Sequence, residues 1–203
     1  WQERIGLEFE HVGKLGGGVH QLRHHMNGSI LKINHARGPL ASLAPSGYRR
    51  LLIARPGLDA VQSLSDPDGN RVDLVPPGHQ GIVGIGIEIA VGDLAAAKAF
   101  WVDAMQFQAG ADDTVIAGDT VLILRQDGGV APTPDEKAAT GYRYTTVQIY
   151  KCDMEHNGIL ERGGREGGPP RTIGTTTRYS FVRDPDGNWI EVSQRAQLTG
   201  NLD

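Results

Sequence analysis

A single cysteine, Cys152, stands among 203 residues, which excludes an internal disulfide and fits a reducing compartment. No apolar run is long enough to cross a bilayer, and neither a signal peptide nor a lipidation motif is visible, so a cytoplasmic protein with no membrane partner is the expectation. An excess of basic charge is missing too. The formal charge is 20 − 24 = −4, and a cut after Gly78 leaves 9 basic and 7 acidic residues before it and 11 and 17 after it, so the halves carry +2 and −6. Neither half is a nucleic-acid surface. Gly16-Gly17-Gly18 lacks the Lys-Ser/Thr pair and the helix of a phosphate-binding loop and reads as a flexible loop. What is abundant is glycine, 28 residues, which implies many turns and short strands.

The chain contains a repeat. Asp184-Pro185-Asp186-Gly187-Asn188 is turn chemistry, because proline pre-sets its own φ, Gly and Asn tolerate positive φ, and Asp side chains bond nearby backbone N–H groups. A strand follows, Trp189-Ile190-Glu191-Val192-Ser193, with Ile190 and Val192 on one face and the Glu191 carboxylate on the other. The same signature occurs at Asp66-Pro67-Asp68-Gly69-Asn70, with Asp73 in the place of Glu191. Gly47-Tyr48-Arg49 and Gly141-Tyr142-Arg143 repeat likewise.

The order of elements is clearest after Gly81. Strict alternation from Val83 to Val91 predicts a strand, and Asp93 then caps a helix over 94–105. Short strands follow at 107–109, 114–117 and 120–124, giving β-α-β-β-β. After a connection at 127–141 the order recurs: a strand over 144–149, a helix capped by Asp153 and ended by Gly163-Gly164, a loop over 165–177, and closing strands at 178–182 and 189–193. In the first half, Trp1 aligns with Trp101, and 20–35 predicts a hairpin about Asn27-Gly28. One strand and a crossover helix are missing there; either the first domain is degenerate or segments of a longer chain have dropped out, and the second is the expectation, since a sheet lacking them would expose core. Two domains are expected, 1–78 incomplete and 79–203 complete.

Paired β-α-β-β-β units, closing strands introduced by Asp-Pro-Asp-Gly-Asn, and a Glu three residues after Asn188 together resemble the vicinal oxygen chelate superfamily of glyoxalase I, bleomycin-resistance proteins and extradiol dioxygenases. The resemblance implies an α+β fold: tandem βαβββ units forming two cupped mixed sheets, with helices outside and a site inside each cup. In its metal-dependent members, ligands come from inward positions on the first and last strands of each unit. In the second half those positions fall on Gly86, Thr146, Leu122 and Glu191, of which only Glu191 is a ligand of the expected type. No histidine lies there, which argues against an extradiol dioxygenase. In the first half they fall on Lys32, Leu52 and Asp73, with Arg50 alongside; Lys32 is expected to pair with Asp73 or an anionic substrate.

Glu88, Tyr144 and Gln148 share the inward face, so Glu191 and Glu88 are the candidate pair for one divalent metal ion or for a shared proton. The candidate catalytic set is Glu191, Glu88, Tyr144, Thr146 and Gln148, and the reaction expected is that of a glyoxalase-like lyase or isomerase. A carboxylate moves a proton beside the carbonyl of a small oxygenated molecule, and Tyr144, Thr146 or Gln148 holds the developing oxyanion. The alternative is a metal-free protein that sequesters a small molecule between Trp189 and Tyr144. Arg143 and Arg178 are candidate anion contacts. Cys152 with His156 is read as inert, and the five histidines before Gly78 as a solvent-facing set rather than a metal site. The resemblance also admits a homodimer.

Overall fold

The computed structural model describes residues 1–135 and 137–202; the connection expected over 127–141 and the end of the second expected domain each include one position outside them. Three sheets account for the strands. The first is the antiparallel meander β1 (Glu8–Gly16), β2 (Val19–Met26) and β3 (Ser29–Ala36). The second joins β4 (Tyr48–Ala54), β5 (Gln62–Ser65) and β6 (Arg71–Val75) to β7 (Ile85–Val91), β8 (Gln108–Ala109), β9 (Thr114–Ala117) and β10 (Thr120–Gln126), in the order β5-β6-β4-β7-β10-β9-β8. The third orders β11 (Tyr144–Gln148), β12 (Arg165–Ile173), β13 (Thr177–Arg183) and β14 (Trp189–Arg195) as β11-β14-β13-β12.

In each unit that keeps its first strand, that strand runs parallel to the last one: β4 with β6, β7 with β10, β11 with β14. The boundary expected at 78/79 falls inside the second sheet, because β4 and β7 pair antiparallel across it. Helix α1 (Leu94–Ala99) is capped by Asp93, whose side chain accepts from Ala96 N at 3.0 Å, and it continues as a π-helical turn over Phe100–Ala104. Its apolar face, with fully buried Trp101, meets Ile89, Val91, Leu122 and Leu124 of the second sheet and Ile159, Ile190 and Val192 of the fourth unit. Each such buried side chain contributes about 1.5–3 kcal/mol.

Helix α2 (Cys152–Glu161) starts one residue before Asp153, and its N-cap is Lys151, so the expected Asp153 cap is corrected: Asp153 instead pairs with Arg178 on the outside of the protein. Residues 165–177 are not wholly loop. Most of them form β12, an edge strand whose two register shifts, one of them spanning Pro169 and Pro170, show how an edge tolerates missing N–H donors. A short helix, α3 (Ala196–Thr199), follows β14.

The repeated motifs dock on one another across the halves. Asp184 accepts from Asn188 N at 2.7 Å and Asn188 Nδ2 at 2.8 Å, and Asn188 Oδ1 in turn accepts from Gly47 N at 2.6 Å. A Cβ on Gly47 would lie 2.5 Å from Asn188 Nδ2 and 2.8 Å from Ala90 O, so only glycine permits this approach. Tyr48 donates to Trp189 O at 2.9 Å, and the matching Tyr142 donates to Arg71 O at 3.0 Å. The expected alignment of Trp1 with Trp101 has a backbone counterpart: Leu7 N donates to Trp1 O and Phe107 N to Trp101 O, both at 3.1 Å.

Candidate active site

The four units combine as second with third and first with fourth, so each cup draws on both halves of the chain. The second-with-third cup is filled by the protein itself. Leu52, Ala54, Val75, Val121 and Ile123 close around Ile82, which the segment between β6 and β7 inserts with no exposed surface. Gly86 accommodates that plug, since a Cβ there would come within 2.5 Å of Ile82 Cδ1. Val121 is the neighbour of Gly86 in the ladder, and Leu122 packs on the helix side; the inward position expected at Leu122 belongs to Val121, one residue earlier.

Glu88 lies at the rim of this filled cup. Arg50 bridges it to Asp73, donating to Asp73 Oδ2 at 2.7 Å and to Glu88 Oε2, while Arg125 stands 3.9 Å from the same carboxylate oxygen. This corrects the expected pairing of Glu88 with Glu191: the strand exchange between halves puts the two carboxylates in different cups. It also corrects the pairing of Lys32 with Asp73, whose partner is Arg50.

The first-with-fourth cup is polar. From β3, Lys32 Nζ reaches across to the fourth unit, donating to Thr146 Oγ1 at 2.8 Å and to Glu191 Oε1 at 3.3 Å. Thr146 and Glu191 are direct neighbours in the β11–β14 ladder, which fixes their common face. The Lys32 and Glu191 side chains are 13 % and 14 % exposed. Asn34 Nδ2 donates to the Tyr144 hydroxyl at 3.3 Å, and Gln21 Nε2 donates to Asn34 Oδ1 at 3.0 Å. Burial pushes the Lys32 ammonium below its ordinary pKa, Glu191 opposes that, and Arg195 and Arg23 reinforce it. Burial and the Glu191 charge raise the Tyr144 phenol, so it remains a proton donor at neutral pH.

One end of this cup is aromatic. Phe181 meets Tyr144, Tyr179 and Trp189 edge-on at centroid distances of 5.7, 6.0 and 5.7 Å. Lys137 lays its ammonium 4.5 Å from the Phe181 ring and 4.6 Å from that of Trp189. The strap that carries it is held by Trp189 Nε1 donating to Pro134 O at 3.2 Å and by Thr133 Oγ1 donating to Asn188 Oδ1 at 2.6 Å.

The structure therefore brings together Glu191, Thr146 and Tyr144, leaves Gln148 exposed at the rim, and removes Glu88. Reading the sequence missed that Lys32 is the partner of Glu191, and it missed Arg23 and Arg195. The signal for Lys32 was present, an inward charge on a last strand, but assigning it needed the knowledge of which units face each other. Arg143 is buried and donates to Ala44 O at 3.0 Å, and Arg178 is tied to Asp153 and Thr172, so the expected anion contacts are structural. Cys152 is fully buried with its thiol pushed up by burial, and His156 is buried under the same helix.

The donor set around Glu191 does not suit a divalent metal ion. An ion on Glu191 would face an ammonium already 3.3 Å from that carboxylate, and like charges at such range repel. Among the described residues, no three of His, Cys, Asp or Glu converge on a metal-sized site. Nor, among them, is any helix long and apolar enough to cross a membrane.

The sequence model of the Glyoxalase/Bleomycin resistance protein/Dioxygenase superfamily matches residues 85–192. Among solved structures, a mutant of glyoxalase I from Zea mays is similar over 100 % of this chain and 90 % of its own, with TM-score 0.74 and 14 % identity. Glyoxalase I from Zea mays itself is similar over 95 % and 85 %, with TM-score 0.71 and 16 % identity. At these identities the likeness establishes the fold. No curated protein matches the chain.

Proposed function

For a chain that belongs to the Glyoxalase/Bleomycin resistance protein/Dioxygenase superfamily, we propose an enzyme of lyase or isomerase type that moves a proton next to the carbonyl of a small oxygenated molecule, in the cup between its first and fourth units. The observation that carries this reading is the Lys32–Glu191–Thr146 cluster, in which one ammonium donates to a mostly buried carboxylate at 3.3 Å and to a hydroxyl at 2.8 Å. Glu191 takes the proton from the carbon beside the carbonyl. The electron pair moves onto the carbonyl oxygen, where the Lys32 ammonium and the Tyr144 hydroxyl stabilise it. Thr146 accepts from Lys32 and so keeps its own proton free to donate to the same oxygen. On a substrate with a hydroxyl on the carbon that lost its proton, returning that proton to the former carbonyl carbon, while the hydroxyl proton passes to the former carbonyl oxygen, completes an isomerisation. The ammonium supplies fixed positive charge, and no step passes through a metal.

The test uses proton exchange, which needs no knowledge of the natural substrate. Small carbonyl compounds such as dihydroxyacetone and pyruvate are incubated with the protein in D2O, and loss of their α-proton signals is followed by NMR. Glu191→Gln should slow the catalysed exchange by about 10²-fold or more; exchange that survives the substitution refutes Glu191 as the base.

The aromatic end of the cup supports a second reading, stoichiometric sequestration of a planar organic compound against Phe181 and Trp189. Such a protein would bind one equivalent and return it unchanged.

A further inference from the structure

The same cup holds more positive charge than its carboxylates answer. Arg23, Lys32 and Arg195 stand against Glu10 and Glu191, three cations to two anions: Lys32 feels Glu191, Arg195 and Arg23, and Arg195 feels Arg23, Glu191 and Glu10. Arg23 is tied to Glu10 at 2.8 Å and Lys32 to Glu191 at 3.3 Å. Arg195 is left over: its Nε is buried and finds no hydrogen-bond partner among the described residues. Arg195 alternates with Glu191 along β14 and so shares its face. Buried polar atoms are nearly always satisfied, so this unpartnered nitrogen on the inward face is a donor available to a ligand.

A cavity of about 220 Å³, lined by Thr175, Thr176, Thr177, Arg195, Ala196 and Gln197, opens at this arginine. Thr177 is the ladder neighbour of Arg195. That volume lies below the ~300–1,000 Å³ of sites for drug-sized ligands, so the occupant has few heavy atoms. A single excess positive charge selects a monoanion over a dianion. A carboxylate also presents two acceptor oxygens in the plane a guanidinium fork requires. Burial and the charge of Arg23 lower the pKa of Arg195, as expected of a cation waiting for a counter-charge.

We propose that Arg195, with Thr177 beside it and Arg23 as supporting charge, binds the carboxylate of a small organic acid whose carbonyl end lies at Lys32 and Glu191. The site makes the substrate of the proposed reaction a small oxo or hydroxy acid, and to that extent the assignment rests on the reading of the Glu191 cup as the substrate site. Binding is separable from turnover, so the test measures binding alone.

Pyruvate and propionate are titrated against 15N-labelled protein, beside the neutral amides pyruvamide and propionamide and beside inorganic phosphate. The expected result is saturable shifts of the Arg195 and Thr177 signals with the acids, at least tenfold weaker binding of the amides and of phosphate, and at least tenfold weaker acid binding in Arg195→Gln. Thr177→Val should weaken acid binding by a few fold. Glu191→Gln abolishes the proton exchange but frees Lys32 of its carboxylate, so acid binding there should be at least as tight as in the wild type, which separates failure of the base assignment from failure of this one. Equal binding of acid and amide overturns the proposal, as does phosphate binding as tight as pyruvate, or unchanged binding in Arg195→Gln. Should Arg195→Gln not fold, Arg195→Lys is the substitute, keeping the charge but losing the planar fork; full affinity in that variant overturns the bidentate assignment.

Discussion

Lys32 and Glu191 belong to opposite halves of the chain, and the pair can be tested as a unit by a double-mutant cycle of Lys32→Met and Glu191→Gln. At 3.3 Å, two unit charges attract by about 5 kcal/mol for an effective dielectric near 20. Desolvation cancels much of this, because both side chains are largely removed from water. Residual solvent contact screens more, and a net coupling of about 1–3 kcal/mol remains. Urea denaturation of the wild type, both single variants and the double variant measures it. Each single substitution should destabilise by about 2 kcal/mol and the double by clearly less than their sum.

The pH dependence has a definite sign. The folded Lys32 pKa is lowered below 10.5, so in the window just below 10.5 the unfolded chain holds the proton that the folded chain has released. Stability then rises with pH through that window relative to Lys32→Met. Additivity within about 0.5 kcal/mol, together with parallel pH profiles for wild type and Lys32→Met, would refute the reasoning.

Asp184 is nearly fully buried in its turn, and burial raises its pKa to about 6. The folded state thus favours the protonated acid, and stability is lost as pH rises from about 4 through 6, by about 3 kcal/mol for a shift of about two units; chemical denaturation across that range should show this slope flattened in Asp184→Asn. Ile82 plugs the other cup, and Ile82→Ala should cost about 2–5 kcal/mol by the cavity it leaves, while α-proton exchange at Glu191 is unchanged once the protein is folded. Gly47→Ala should destabilise by several kcal/mol, more than the same change at an exposed glycine such as Gly38, because its methyl meets both Asn188 and the Ala90 carbonyl; thermal melts compare the two. Elemental mass spectrometry after reloading with zinc, nickel or manganese should find less than one equivalent bound through Glu191, and a full equivalent lost in Glu191→Ala would overturn the account of Lys32 as the resident cation.

The local elements were legible because their signals are local. Alternation in β7, the Asp93 cap, the Asp-Pro-Asp-Gly-Asn turns and the placing of Glu191, Thr146 and Tyr144 on one inward face all follow from side-chain periodicity and turn chemistry within about ten residues. The family followed from their repetition. The errors came where a neighbour in space overrides the local pattern. Segment 165–177 is rich in Gly, Pro and Thr and reads as a loop, yet β13 offers it an edge to pair with. Asp153 has the chemistry of a cap but is drawn to Arg178.

Which residues share a cup was decided by tertiary structure alone. Sequence order suggests that the third and fourth units face each other and would put Glu88 beside Glu191. The antiparallel pairing of β4 with β7 instead commits the second and third units to one sheet, and leaves the first to close over the fourth. By itself the sequence determined the units, their turns and the inward carboxylate. Strand pairing between units separated by scores of residues determined that this carboxylate meets Lys32 rather than a second acid. No periodicity encodes that choice, because it depends on which sheet edges find each other once every unit has already formed.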